Sequence, residues 1–343
     1  MSFTMIRIIA VFLATAIFTL QSSNAAEIDS VTPRRIHLDD SLQAINAIFN
    51  QRMMEGIAKA NGRRDDIEDL TAEEFCDEEI LYAELRKSIF QSFTASWGLK
   101  GYSLDKQLRE LLADRSYSLS LNDSIYRDIN YIEGFSLNIK ELSDVVRVSG
   151  HLVGLDKLGH FFAEGWQYFE LTREEGKNIE QDLQWGKEQE GGKYGYTTTG
   201  IFSFADLVAN FNGLRFWNRV LGKNNDPLLG FVANLLDSPY VTCDVQVVAS
   251  FKHMKIVKAW ERNKKFDLSV YLDGVWDEGN NCNSYADPLI EEKVSLRIGE
   301  VDSQFNCPFI PQICLDAREK YGKYAKQILH PYCLVVPEKQ ESE

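Results

Sequence analysis

The stretch "GLDKLGHFFAEGWQYF" (154–169) constrains the fold more than any other, because it is built for burial yet carries Asp156, Lys157, His160 and Glu164. At about 100° per residue, the advance of an α-helix, Asp156, His160, Glu164 and Gln167 fall within about 80° of one another, with Lys157 at their margin. Leu158, Phe161, Phe162, Trp166 and Phe169 occupy the other side. Such a helix must turn its stripe to water or find buried partners for it, since an unpaired buried charge is costly.

"SFADLVANFNGLRFW" offers a partner. Ser203 suits an N-cap. Asp206, Asn210 and Gly213 then share a face within about 60°, flanked by Ala209, with Phe204, Val208 and Phe211 opposite. A solvated face usually favours long charged side chains, whereas short ones with a glycine let another backbone approach. The two stripes are therefore expected to face each other, Asp156, His160 and Glu164 against Asp206 and Asn210. Three readings stay open. In a catalytic or ligand site His160 would be general acid/base, Asp156 or Glu164 would orient it, and Asp206 and Asn210 would position substrate or a divalent cation. In an architectural network the same groups fix helix register. In the third, the stripe is a solvated face.

Asp156, Lys157, His160 and Phe161 match Asp-Lys-x-x-His-Phe, and Asp206, Asn210 and Gly213 match Asp-x-x-x-Asn-x-x-Gly. In order and spacing this resembles the VanZ-like families and a related group of envelope proteins, over about 60 of the 343 residues. The resemblance implies that these polar residues form one site. It turns the expected ligand toward envelope lipid or glycan and supplies no reaction. VanZ-like proteins span the membrane several times, whereas no apolar run beyond residue 25 approaches the ~18 residues a spanning helix needs.

Between the motifs lie residues 172–202, with five glycines after position 185. A connection this long is expected to be partly helical or functional. "GGKYGYTTTG" could form a lid offering Tyr196 and Thr197 as ligand contacts, and an ordinary surface loop is the simpler alternative.

Residues 1–25 read as a secretory signal: Arg7, the apolar run "IIAVFLATAIFTL" and small residues at Ser23 and Ala25, with cleavage expected after Ala25. The expected location is the periplasm or the exterior. All six cysteines follow that point, which favours disulfides over a metal cluster. Cys307 and Cys314 flank "PFIPQI", whose prolines suggest a turn and a bridge between them. Losing Arg7 takes the net charge from −14 to −15. A chain this acidic, with no basic stripe, is not expected to bind nucleic acid. GxSxG, P-loop, GxGxxG and HExxH motifs are absent from the sequence, which removes the commoner enzyme classes.

The pattern predicts a mainly α single domain: an N-terminal helical region (26–145), a motif-bearing core (146–225) and a disulfide-rich cap with short strands (226–343). Helices are expected at 38–61, at 71–97 opened by a Thr71/Glu74 capping box, near "LDKQLRELL", and at about 314–329. "VQVVASF" and "FDLSVYL" read as strands. Periodicity does not set the oligomeric state, and a cell-envelope component is the expected partner.

Overall fold

The computed structural model describes residues 27–63, 76–90, 104–139, 141–174, 176, 178–250 and 253–337. The expected signal and the Thr71/Glu74 box lie outside the described residues. Helices dominate, joined by a few short strands. The first long helix, α1 (Leu42–Gly62), buries Ile45, Phe49, Met53 and Ile57 on one stripe. It packs against α2 (Glu78–Ile89), where Gly56 meets the backbone of Leu85. Asp77 starts α2, its side chain accepting from the Ile80 N–H at 2.9 Å, a cap worth about 1 kcal/mol. Helix α3 (Leu104–Leu111) follows as expected.

A three-stranded antiparallel sheet then leads into the motif region, in the order β1 (Ser116–Tyr117), β2 (Val145–Val148), β3 (His151–Gly154). The β2–β3 hairpin turns at Ser149 and Gly150, both at positive φ, the backbone a two-residue hairpin requires. Helix α4 starts directly after β3. It runs as Asp156–Gly159, a π-helical turn His160–Glu164, and Gly165–Glu174. Helix α5 (Ile179–Gln189) opens on a full capping box between Asn178 and Gln181 and ends in a second π-helical turn, Glu190–Tyr194. The connection 172–202 is thus largely helical. β4 (Ile201–Ser203) delivers the chain into α6 (Phe204–Val220), a helix buried at every position.

Beyond α6 comes α7 (Phe231–Leu236), one and a half turns on the surface. The long hairpin β5 (Val241–Ser250) and β6 (His253–Arg262) includes "VQVVAS" as expected. "FDLSVYL" is not a strand. Asp267 accepts from the Ser269 N–H and winds Leu268–Val270 into a 3₁₀ turn. Phe266, Leu268, Tyr271 and Leu272 are buried, a spacing that two-fold alternation cannot provide. β7 (Asn283–Tyr285) pairs with β4, then α8 (Pro288–Val301) and α9 (Pro311–Tyr321) follow. The expected 314–329 helix is interrupted at Gly322, φ +51, and resumes as Ala325–Ile328.

Three disulfides are present: Cys76–Cys243, Cys282–Cys307 and Cys314–Cys333. The expected Cys307–Cys314 bridge does not form. Pro311 opens α9 instead of closing a turn, so Cys314 lies on that helix's buried face, opposite Cys333 of the helix Pro331–Val335. Cys307 lies beside the Glu278 carbonyl, which is why it meets Cys282. Cys76–Cys243 also ties the N-terminal helices to the C-terminal region. No described helix is long and apolar enough to cross a membrane.

Candidate functional site: a buried acid, lysine and histidine cluster

Helices α4 and α6 cross where both backbones are bare. A Cβ on Gly213 would lie 1.9 Å from the Phe161 carbonyl oxygen, and one on Gly165 would lie 2.5 Å from the Gly213 Cα. Gly213 was legible as a close-approach residue, whereas its true counterpart is Gly165, not Ala209. The phenylalanines leave this seam in different directions. Phe161 and Phe162 join Phe216 and Phe266, Phe211 stacks near Tyr321 and Tyr324, and Phe204 meets Phe202 and His330. The Trp217 indole N–H donates to the Phe162 carbonyl inside the π turn at 2.9 Å.

At the seam the two polar stripes meet as expected. His160 Nδ1 lies 2.8 Å from Glu164 Oε2 and 3.1 Å from Asn210 Oδ1, and its Nε2 lies 3.1 Å from Asp206 Oδ2. Asn210 donates to Glu164 Oε2 at 3.1 Å, closing a ring of side chains. Lys157 is not marginal. Its Nζ is the hub, 2.8 Å from Asp156 Oδ2, 2.5 Å from Asp206 Oδ1 and 2.6 Å from Glu278 Oε1. Lys157 is fully enclosed, and Asp156, Asp206 and Glu278 are each exposed by 5% or less.

Three members were not anticipated. Glu278 arrives from the C-terminal region and also accepts from Ser203 Oγ at 3.1 Å and Asn283 Nδ2 at 2.7 Å. Glu190 sits on the second π turn, where its Oε1 accepts the Ser203 N–H at 3.1 Å. Glu27, near the start of the described chain, accepts from Thr199 Oγ1 at 2.7 Å. The only available signals were acids beside small or apolar residues ("VWDEGNN", "EQEGG", "AAEID"), with no periodicity to link them.

Tyr196 and Thr197 do not join the cluster. Tyr196 is half-buried against the Phe202 ring, and the exposed Thr197 hydroxyl donates to the carbonyl of Gly192 in its own loop. Of the two readings open there, a lid or an ordinary loop, the described residues form a closed turn. Gly195 is pressed against the Glu190 carbonyl, where a Cβ would stand 2.2 Å away.

Six buried carboxyls (Glu27, Asp156, Glu164, Glu190, Asp206, Glu278) thus surround two cations, Lys157 and His160. Protons offset part of the excess. Burial, then repulsion from Glu278 and Asp206, pushes Glu27 up to about 8. Burial pushes Asp156 up to about 7 against the pull of Lys157. Glu190 is raised well above the usual carboxyl range by burial and by Asp206. Asp206 goes the other way: burial would raise it, but His160 and Lys157 hold it below the ordinary aspartate value. Burial would lower both cations, yet Asp156, Asp206 and Glu278 raise Lys157, and Asp206 and Glu164 raise His160 well above its usual value. The imidazole is therefore a doubly paired cation.

Asp156, His160 and Asp206 each offer a ligand atom within 4.8 Å of the others. Two carboxylates and an imidazole suit a divalent ion, although the Lys157 ammonium already places positive charge against both carboxylates. Compared with known proteins, the chain matches no protein family, no curated protein and no solved structure.

Proposed function

We propose that the chain is an exported cell-envelope protein of a non-catalytic, structural or binding kind. In this reading the Asp156, Lys157, His160, Glu164, Asp206, Asn210 and Glu278 cluster is a closed charge network that sets the register of α4 against α6 and anchors the C-terminal region to both. One observation carries it: both ring nitrogens of His160 and the ammonium of Lys157 lie within 3.1 Å of buried carboxylate oxygens. A general base needs a free ring nitrogen within reach of substrate, and an imidazolium held by two carboxylates has none. The three disulfides and the resemblance to envelope families support the location.

A second reading, an envelope hydrolase or transferase acting on lipid or glycan, draws on two other observations. His160 and Glu164 bound a π-helical turn, a feature frequent at functional sites. Asp156, at about 7, is poised for proton transfer near neutral pH. Here the cluster opens to admit substrate, His160 acts as acid/base, and Asp206 and Asn210 hold substrate or a divalent cation.

His160→Gln separates the two. In the network reading it leaves Glu164 and Asp206 buried without their shared cation, which costs about 3–5 kcal/mol and lowers the melting temperature clearly. Unchanged melting, together with loss of ligand or metal binding, would favour the enzyme.

A further inference from the structure

Asp156, His160 and Asp206 bring ligand-type atoms within 4.8 Å of one another, on two helices that cross at Gly165 and Gly213. Each also carries a buried atom that makes no hydrogen bond: Asp156 Oδ1, His160 Nε2 and Asp206 Oδ1. His160 Nε2 matters most. It lies 3.1 Å from Asp206 Oδ2, yet the contact is not aligned as a hydrogen bond. Two atoms bound to one zinc ion, each about 2.0–2.2 Å from it, stand about 3–3.5 Å apart. The observed separation therefore fits joint coordination.

The other side of the ring supports this. Nδ1 faces Glu164 Oε2 at 2.8 Å and Asn210 Oδ1 at 3.1 Å. A metal-bound histidine ordinarily gives its second nitrogen to a carboxylate or carbonyl, which fixes the tautomer and aims the ring. Lys157 leaves room for a ligand set: its Nζ takes Asp156 Oδ2 and Asp206 Oδ1, and each carboxylate keeps a second oxygen. Charge favours a further cation, since six buried carboxyls surround only Lys157 and His160. An imidazole among the donors points away from calcium and magnesium, which take oxygen ligands, and toward a first-row transition ion.

We infer that Asp156, His160 and Asp206 bind one divalent transition ion, zinc by preference, with Glu164 as the positioning residue behind His160. The imidazolium gives up its Nε2 proton to solvent as that nitrogen's lone pair binds the ion. Without the ion the cluster is balanced by protons, and with it by the metal. The inference rests on the reading of the cluster as an architectural site and names its ligand. Because the site is enclosed, the ion is taken up as the chain folds.

The test is the zinc content and zinc affinity of the full chain, expressed with its disulfides formed in zinc-supplemented medium and then gel-filtered. Affinity is read by competition with a chromophoric chelator. Expected is one zinc per chain and a melting temperature that falls when the zinc is stripped. Glu164→Gln leaves all three ligands in place and should weaken binding about 10–100-fold. Asp206→Asn should weaken it at least as much. His37→Ala, at the exposed His37–Asp39 pair, should change nothing. Zinc well below one per chain in the parent, equal affinity in the Glu164→Gln protein, or loss of zinc in His37→Ala overturns the inference. If the parent binds no zinc while His160→Gln still lowers its melting temperature, the inference fails and the network reading stands. If zinc binds and His160→Gln leaves the melting of the stripped protein unchanged, the network reading fails and the inference stands.

Discussion

At the crossing of α4 and α6 the protein encloses a lysine, a histidine and six carboxyls almost completely, while at α7 it leaves two leucines, a valine and a phenylalanine in water. Each region inverts the usual sorting of polar and apolar groups. The difference lies in partners. Asp156 is held by Lys157 of its own helix, while the other charges at the seam meet an opposite charge or a hydrogen bond from another element, so their enclosure depends on α4, α6, β4 and the 278–283 segment arriving together. At α7 the one buried side chain is Asn234. One inversion is resolved by the chain itself. The other leaves four apolar side chains uncovered among the described residues.

The sharpest way to break the comparison is to remove the hub. Lys157→Met keeps much of the side chain's volume but leaves Asp156, Asp206 and Glu278 facing one another. Breaking one side of a buried pair costs about 3–5 kcal/mol, which for a chain of this size lowers the melting temperature by roughly 5–10 °C. A melt within a degree or two of the parent would mean that water or another cation reaches the site and that the seam is not closed.

The next effect is steric. Gly213→Ala drives a methyl into the Phe161 carbonyl, and nothing there is the far end of a flexible side chain. The helices must separate, at a cost of about 1–3 kcal/mol, read as a lower midpoint in urea with an unchanged slope. Tolerance of the alanine would show that α4 and α6 do not approach this closely in solution.

A smaller effect is the response to pH. Glu27 and Asp156, at about 8 and about 7 when folded, hold protons that the unfolded chain releases above their ordinary values. The folded state therefore loses stability as pH climbs from about 4 toward 8. His160, raised above 6.5, contributes fully below that value and less as pH rises through its folded pKa. Asp206, depressed from 3.8, contributes above that value and is lost in acid. The optimum falls near pH 4–6, and melting at pH 8.5 should be several degrees below that at pH 5. The opposite trend would point to a cluster balanced by a bound cation rather than by protons.

How much of this was readable depends on periodicity. The two stripes and their contact follow from helical spacing, because 3.6 residues per turn fixes which side chains share a face. Lys157 looked marginal because a uniform helical wheel says nothing about what lies opposite, and its other ligand, Glu278, is 121 residues away. Glu27 and Glu278 stand in irregular segments and Glu190 on the π turn that ends α5, so no pattern linked them to the seam. The π turns were invisible for a related reason, since reading by period assumes a constant one. Cysteine spacing failed similarly. Pro311 reads equally well as a turn former or as the first residue of a helix, and the chain uses it as the second.

The smallest expected effect is at α7, and it is the most pointed. Serine at Phe231 and Leu235 removes two large apolar side chains, a change that in the core would cost several kcal/mol. Here both are more than 70% exposed, so the unfolded chain loses nearly as much apolar surface from water as the folded one, and the transfer terms nearly cancel. Asn234, which holds the segment through Asp226, Leu229 and Gly230, is untouched. The melting temperature should move by less than about 2 °C, within the range of ordinary surface substitutions. A fall of more than about 5 °C would mean that α7 is already covered in the isolated protein. The contrast with the buried seam would then collapse, since both regions would be satisfied by the chain's own partners.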